Sequence, residues 1–246
     1  MEHTGRDPRE RCWEGAFNAR DLGGVPVAGG RIRAGALFRS GQPEAWTPEG
    51  FRQASDDGVR RIFDLRDPEE PGGAPAGAER AGIDYRFVPV EDPRLPEFRA
   101  RFVPYMNHTS GYRDFLAMFP GRVAHALREV FLGGPGTLVC CSAGRDRTGI
   151  TTSMVLLSQG VELEALLHED ELAVRAVNER HRTRETPHPY ESWQPEEALR
   201  PAIDSRREAL AAFARGLDVR GFLRAHGLDG AADGAREWLV RTDAGR

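Results

Sequence analysis

Cys141 and Arg147 are the side chains whose types and spacing best suit chemistry. They stand six positions apart in Leu138-Val139-Cys140-Cys141-Ser142-Ala143-Gly144-Arg145-Asp146-Arg147-Thr148-Gly149. The pattern predicts an apolar strand that delivers Cys141 to a tight loop, with a helix starting at the far end. Successive backbone N–H groups in such a loop form an anion nest. The helix N-terminus adds unpaired N–H groups and a partial positive charge. A phosphate fits that nest, and the same field favours the thiolate form of Cys141, a nucleophile. Arg147 offers a planar fork that grips two phosphate oxygens. The Thr148 hydroxyl is expected near the sulfur, to stabilise the departing thiolate. Cys141, Arg147 and Thr148 are therefore the expected catalytic groups. Ser142, Ala143, Gly144, Arg145, Asp146 and Arg147 are the expected substrate-binding loop. Gly144 and Gly149 permit the close backbone approach such a loop requires.

Two rival chemistries fail on composition. A nucleotide-binding loop needs Gly-Lys-Ser/Thr, and the chain contains no lysine. A metal centre needs several spaced ligands, whereas Cys140 and Cys141 are adjacent and no histidine neighbours them. No metal and no cofactor is expected. The reaction also needs a carboxylic acid within hydrogen-bond reach of the leaving oxygen. Asp64 ends a strand, Asp92 opens the breaker-rich stretch Asp92-Pro93-Arg94-Leu95-Pro96, and Asp146 lies inside the loop itself. All three remain candidates. Asp64 has a plainer reading as a salt bridge to Arg66 or Arg20, and Asp92 as a turn former before proline.

The Cys-x5-Arg-Thr pattern resembles the signature of the protein tyrosine phosphatase superfamily. Further segments narrow the likeness: Phe17-Asn18-Ala19-Arg20-Asp21-Leu22-Gly23-Gly24, Leu37-Phe38-Arg39-Ser40-Gly41 and Phe63-Asp64-Leu65-Arg66. Together they resemble the bacterial tyrosine-phosphatase-like family, which includes atypical tyrosine and phosphoinositide phosphatases. The likeness covers about 13–160 and fades over the C-terminal helices. It implies a phosphomonoester hydrolase with a phosphocysteine intermediate, acting on a phosphotyrosine protein or a small phosphorylated metabolite. A phosphate-binding module without turnover is the rival from another class. By resemblance, Asp92 matches the acid loop of dual-specificity relatives, and Asp64 fits the bacterial family. The signature usually reads His-Cys-x-x-Gly-Lys-Asp-Arg-Thr-Gly. Here Cys140 replaces the histidine and Arg145 the lysine, which removes a polar neighbour of the nucleophile but keeps the loop cation.

The elements that must position this loop follow from periodicity and breakers. Val25–Arg33 reads as a hairpin turning at Ala28-Gly29-Gly30, and 36–39 as a short strand. Thr47 and Pro48 suit the N-cap and first position of a helix ending near Gly58. Strands are expected over Val59–Leu65, Tyr85–Val90 and Thr137–Cys140, with Pro71–Gly77 a loop. Helices are expected over 97–107, 110–118, 120–132, up to about Ser158, and Glu162 to about Arg180. A polar loop follows over 181–194, with three more helices over 195–243. Residues 1–12 read as loosely ordered. This alternation predicts an α/β fold with a mostly parallel central sheet flanked by helices. A single phosphatase domain is expected over 13–246, with a catalytic core to 160 and a helical extension, a possible lid, beyond. Arg20 and Asp21 are expected to pair. Arg39 and Arg66 sit at strand ends that can border the pocket. His108, His168 and His181 read as surface or core residues, and Tyr190 and Trp193 as packing or lid residues. The cysteines Cys12, Cys140 and Cys141 are too few for a disulfide framework.

The chain has 246 residues, 29% charged, with a formal net charge of −4. That balance argues against a nucleic-acid-coating surface. No run approaches the roughly 20 apolar residues of a membrane span, and Met1–Glu10 is polar, unlike a signal peptide. A cytoplasmic setting and a phosphorylated substrate are expected, without nucleic acid or membrane span; the oligomeric state is left open.

Overall fold

The computed structural model describes residues 7–70 and 74–242. The chain begins with β1 (Arg20–Asp21), a hairpin of β2 (Pro26–Val27) and β3 (Gly30–Ile32), and β4 (Leu37–Ser40). Then come α1 (Pro48–Asp56), β5 (Arg61–Asp64), α2 (Ala76–Arg80) and β6 (Asp84–Phe87). Next are α3 (Pro96–Arg101), α4 (Tyr112–Met118), α5 (Pro120–Gly133), β7 (Thr137–Cys140) and α6 (Asp146–Ser158). The chain continues with α7 (Leu163–Thr183), α8 (Glu196–Gly216), α9 (Val219–Ala225), α10 (Asp229–Leu239) and β8 (Val240–Thr242).

The main sheet has the order β1-β4-β7-β5-β6. Its last four strands are parallel, and β1 pairs antiparallel at the edge. β7 lies in the middle, fully buried over Thr137–Cys140, as expected of a strand covered on both faces. Side chains alternate along it. Leu138 and Cys140 enter a layer with Trp13, Phe38, Trp46 and Phe51, beneath α1 and α2. Val139 and Cys141 enter the larger core, built with α3 to α6 and the C-terminal helices. Adjacent Cys140 and Cys141 therefore belong to opposite layers. Burial, with the nearby Asp64 carboxylate adding to it, pushes the Cys140 thiol well above its ordinary range.

Local signals account for most boundaries. Thr47 caps α1 by accepting a hydrogen bond from Gly50 N–H at 3.1 Å, and Pro48 fills the first position. The helix expected over 97–107 ends at Arg101, because Pro104 disfavours helical backbone at Val103. The loop expected over Pro71–Gly77 gives way to α2 at Ala76, and residues 71–73 lie outside the described residues. The described part of the N-terminal stretch is pinned rather than loose. Arg9 pairs with Glu169 at 2.5 Å, and Glu10 bridges Arg20. β8 was not expected; it pairs with β3 in a second sheet, β2-β3-β8, and ties the C-terminal helices to the hairpin. Among the described residues no helix is long and apolar enough to cross a membrane.

Candidate functional site

β7 ends at Cys140, and the chain turns through 141–145 into α6. Gly144 adopts φ +66°, and a Cβ there would lie 2.3 Å from the Ser40 carbonyl oxygen. Both the conformation and the close approach demand glycine. At Gly149 a Cβ would meet the Tyr112 hydroxyl at 2.4 Å. The loop is held from outside by its carbonyls. Asn18 Nδ2 donates to the carbonyls of Ala143 and Gly144 at 2.9 and 3.0 Å, and Arg39 donates to Gly144 at 2.8 Å. A trans peptide sets its N–H opposite its C=O, so pinned carbonyls leave the intervening amides turned toward the cavity. Asn18 itself sits at φ 52°, and its Oδ1 accepts from Arg20 at 2.7 Å. The expected Arg20–Asp21 pair does not form, because adjacent strand residues face opposite sides. Arg20 turns to Asn18 and Glu169, while Asp21 accepts from the backbone of Gly23 and Gly35.

A cavity of about 440 Å³ opens over the loop and is lined by Cys141, Ser142, Ala143, Arg145, Asp146 and Arg147. Thr148 is fully buried, and its hydroxyl has no hydrogen-bond partner among the described residues. Arg147 donates to Glu70 at 2.5 and 3.2 Å and to Glu91 at 3.0 Å. Burial opposes its charge, but the fields of Glu91, Cys141 and Glu70 outweigh it and hold the guanidinium above its ordinary range.

The three expected acids separate. Asp146 lines the cavity, but Arg145 and Arg206 grip its two oxygens at 2.9 and 3.0 Å. Asp64 is fully buried beneath the sheet edge, bonded to Arg66 and Tyr85 and absent from the cavity lining. Asp92 is also absent from the cavity lining. It accepts from Arg94 N–H in a turn and pairs with Arg94 and Arg122, so the turn consumes the side chain that the acid-loop reading requires. Its neighbour Glu91 faces the cavity instead, 8% exposed. Burial above all raises the Glu91 carboxyl; Arg147 opposes, and Glu70, Asp146 and Asp67 add to the rise. Asp92 thus takes the turn-forming role that its place before Pro93 allows.

The C-terminal helices build the opposite wall. Glu191, in the loop after α7, accepts from both terminal nitrogens of Arg145 at 2.9 Å, from Tyr105 at 2.5 Å, and pairs with His181 at 3.2 Å. Burial opposes its ionisation, yet these donors hold its carboxyl far below the usual carboxylate range. His181, expected at the surface or in the core, thus faces the cavity. His188 is shifted down, first by burial. Its Nδ1 accepts from the backbone N–H of Tyr190 and Glu191, which shapes the loop that presents Glu191. Tyr190 and Trp193 are exposed and absent from the cavity lining. Arg66 is buried, pairs with Asp64 and Glu44 and is absent from the cavity lining. His108 caps a short turn through Ser110, and His168 is exposed.

A family profile described as the tyrosine phosphatase family matches residues 12–232. The chain belongs to that family. A candidate tyrosine-protein phosphatase of Cupriavidus necator is 32% identical over 163 residues, 61% of this chain and 58% of that protein. The triple specificity protein phosphatase PtpB of Mycobacterium tuberculosis is 25% identical over 182 residues, 62% of this chain and 65% of that one. The chain thus spans about three fifths of the length of these curated relatives. The solved catalytic core of Siw14 aligns with a TM-score of 0.45 and 15% identity, over 84% of this chain and 95% of that one.

Proposed function

We propose that this chain is a cysteine-dependent phosphomonoester hydrolase. The observation that carries the reading is the loop from Cys141 to Arg147, whose carbonyls are pinned outward by Asn18 and Arg39 beneath a cavity that holds both side chains. The Cys141 thiolate attacks phosphorus in line and forms a phosphocysteine. Arg147 and the loop amides hold the equatorial oxygens and stabilise the charge that develops on them. Thr148, with its unpartnered hydroxyl, serves the sulfur as it departs. A carboxyl group of the cavity protonates the leaving oxygen, and water then hydrolyses the intermediate.

Phe17 and Tyr105 line the cavity mouth, which suits an aryl phosphate such as phosphotyrosine. Arg180 and Arg184 line it as well and favour substrates with a second anionic group, including small phosphorylated metabolites. The match to a phosphatase named for triple specificity supports a panel wider than phosphotyrosine. The test is turnover across phosphotyrosine, phosphoserine, phosphoinositide and metabolite phosphates, with phosphocysteine trapping by rapid acid quench. Cys141→Ser should keep the fold and phosphate binding but abolish turnover. Sustained hydrolysis by that variant sinks the cysteine mechanism, and phosphate binding by the wild type without any trapped intermediate or turnover favours the inactive module.

A further inference from the structure

Four carboxylates line the cavity: Glu70, Glu91, Asp146 and Glu191. Three are committed elsewhere. Asp146 is gripped by two guanidinium groups, Arg145 and Arg206. Glu191 is held by Arg145 in bidentate fashion, with Tyr105 and His181 adding to the grip. Donors already occupy the oxygens of both carboxylates that a leaving group would have to reach. Glu70 spans both terminal nitrogens of Arg147 and also accepts from the Asp67 backbone N–H at 3.1 Å. Glu91 differs. It is more buried than Glu70, and among the described residues its hydrogen-bond partner is Arg147 alone.

We infer that Glu91 is the general acid and base of this active site. The inference rests on the proposed hydrolase function. Its basis is the place of Glu91 in the cavity with Cys141, against the same guanidinium that grips the phosphate. When a phosphate dianion takes the Arg147 N–H groups, Glu91 gives up its stabilising cation and faces a new negative charge. Glu70 and Asp67, on the segment after β5, and Asp146, at the start of α6, already oppose its ionisation. Glu91 is then held protonated beside the leaving group. As the S–P bond forms and the P–O bond breaks, the leaving oxygen keeps the bonding pair and takes the Glu91 proton. The resulting carboxylate next removes a proton from water. The water oxygen bonds phosphorus, and the S–P pair returns to the Cys141 sulfur.

The experiment measures kcat/KM against pH for nitrophenyl, phenyl and alkyl phosphates, with wild type, Glu91→Gln, Glu91→Asp and Asp146→Asn. A general acid contributes about 10²–10⁴-fold where the leaving group needs a proton. Glu91→Gln should therefore lose about that much on alkyl phosphate, far less on nitrophenyl phosphate, and should lose the alkaline limb of the pH profile. Retained nitrophenyl activity shows that the variant is folded. If Glu91→Gln does not fold, Glu91→Asp decides: a loss selective for alkyl phosphate supports the assignment, and an equal loss on all substrates overturns it. Equal losses in Glu91→Gln would mean that Glu91 only positions Arg147. A leaving-group-selective loss confined to Asp146→Asn would transfer the role there. Failure of the underlying hydrolase reading is distinct, because wild type would then show no Cys141-dependent turnover of any substrate.

Discussion

Arg145 and Arg147 lie two residues apart, one at the end of the loop and one in the first turn of α6, yet they serve different walls of the cavity. On the Arg145 wall each carboxylate is shared by several donors. Asp146 has two guanidinium partners, and Glu191 has Arg145, Tyr105 and His181. On the Arg147 wall the ratio inverts, and two carboxylates share one guanidinium. An excess of donors fixes charge and geometry, which makes a frame. At Glu91, burial and the neighbouring Glu70, Asp146 and Asp67 raise the carboxyl against the pull of Arg147, which makes a place where a proton can move. The C-terminal helices supply much of the frame, since Arg206 on α8 ties Asp146 to Asp170 of α7 at 2.7 Å.

The contrast breaks most visibly at Arg147. Arg147→Lys keeps a positive charge but not the fork, and lysine binds as a point charge. Removing a preorganised transition-state donor typically costs about 10²–10³-fold in kcat. That loss should appear in kcat/KM with little change in thermal stability. Near-normal kcat/KM would show that the loop amides alone hold the phosphate and that this wall is not the reactive one.

Arg206→Met tests the other wall and should do the reverse. Breaking a buried ion pair from one side leaves uncompensated charge and costs about 3–5 kcal/mol. Arg206 is 4% exposed, and both Asp146 and Asp170 lose their shared cation. Denaturant unfolding should show the destabilisation, while the folded fraction retains Cys141 chemistry. A stability change under about 1 kcal/mol would mean that α8 does not brace the loop.

The strand–loop–helix unit around Cys141 was legible in sequence because its parts are contiguous: an apolar strand, a cysteine, a glycine at an enforced φ, an arginine and a helix start. A mostly parallel sheet was legible from the alternation of strands and helices, whereas the strand order β1-β4-β7-β5-β6 needed the fold. Which carboxyl beside Pro93 enters the cavity was not legible. Asp92 and Glu91 are adjacent, and only the turn bonding Asp92 to the Arg94 N–H decides which one enters the cavity. The frame was also hidden, because it is built across long sequence separations. Arg206 meets Asp146 sixty residues away, and Glu191 meets Arg145 forty-six away. Asn18 lay within a noticed motif, but its grip on Ala143 and Gly144, 125 and 126 positions distant, needed the fold.

Asn18 joins the two walls by holding the loop they share. Asn18→Gly keeps the φ of 52° free of strain while deleting both bonds to the loop carbonyls. The Gly144 carbonyl keeps Arg39 as a donor, whereas the Ala143 carbonyl loses its side-chain donor, and an acceptor left without one costs about 1–3 kcal/mol. A fall in kcat/KM together with a modest loss of stability is expected. An effect on stability alone would mean that Arg39 suffices to orient the amides.

The smallest expected effect belongs to Glu191→Gln, and it sharpens the claim that the frame is fixed in charge. The folded-state pKa of Glu191 is depressed, so its ionised form stabilises the fold. By linkage that contribution is present above the unfolded carboxyl pKa of about 4.3 and is lost as pH falls below it toward the folded value. Wild type should therefore exceed Glu191→Gln in stability at neutral pH, and the gap should shrink as the solution is acidified below about pH 4. Melting temperatures of both proteins from pH 7 down to 3 measure it. A gap that stays constant with pH would mean that Glu191 contributes through packing and neutral hydrogen bonds. It would then not be the anion that neutralises Arg145, and Asp146 would be left as the partner of that cation.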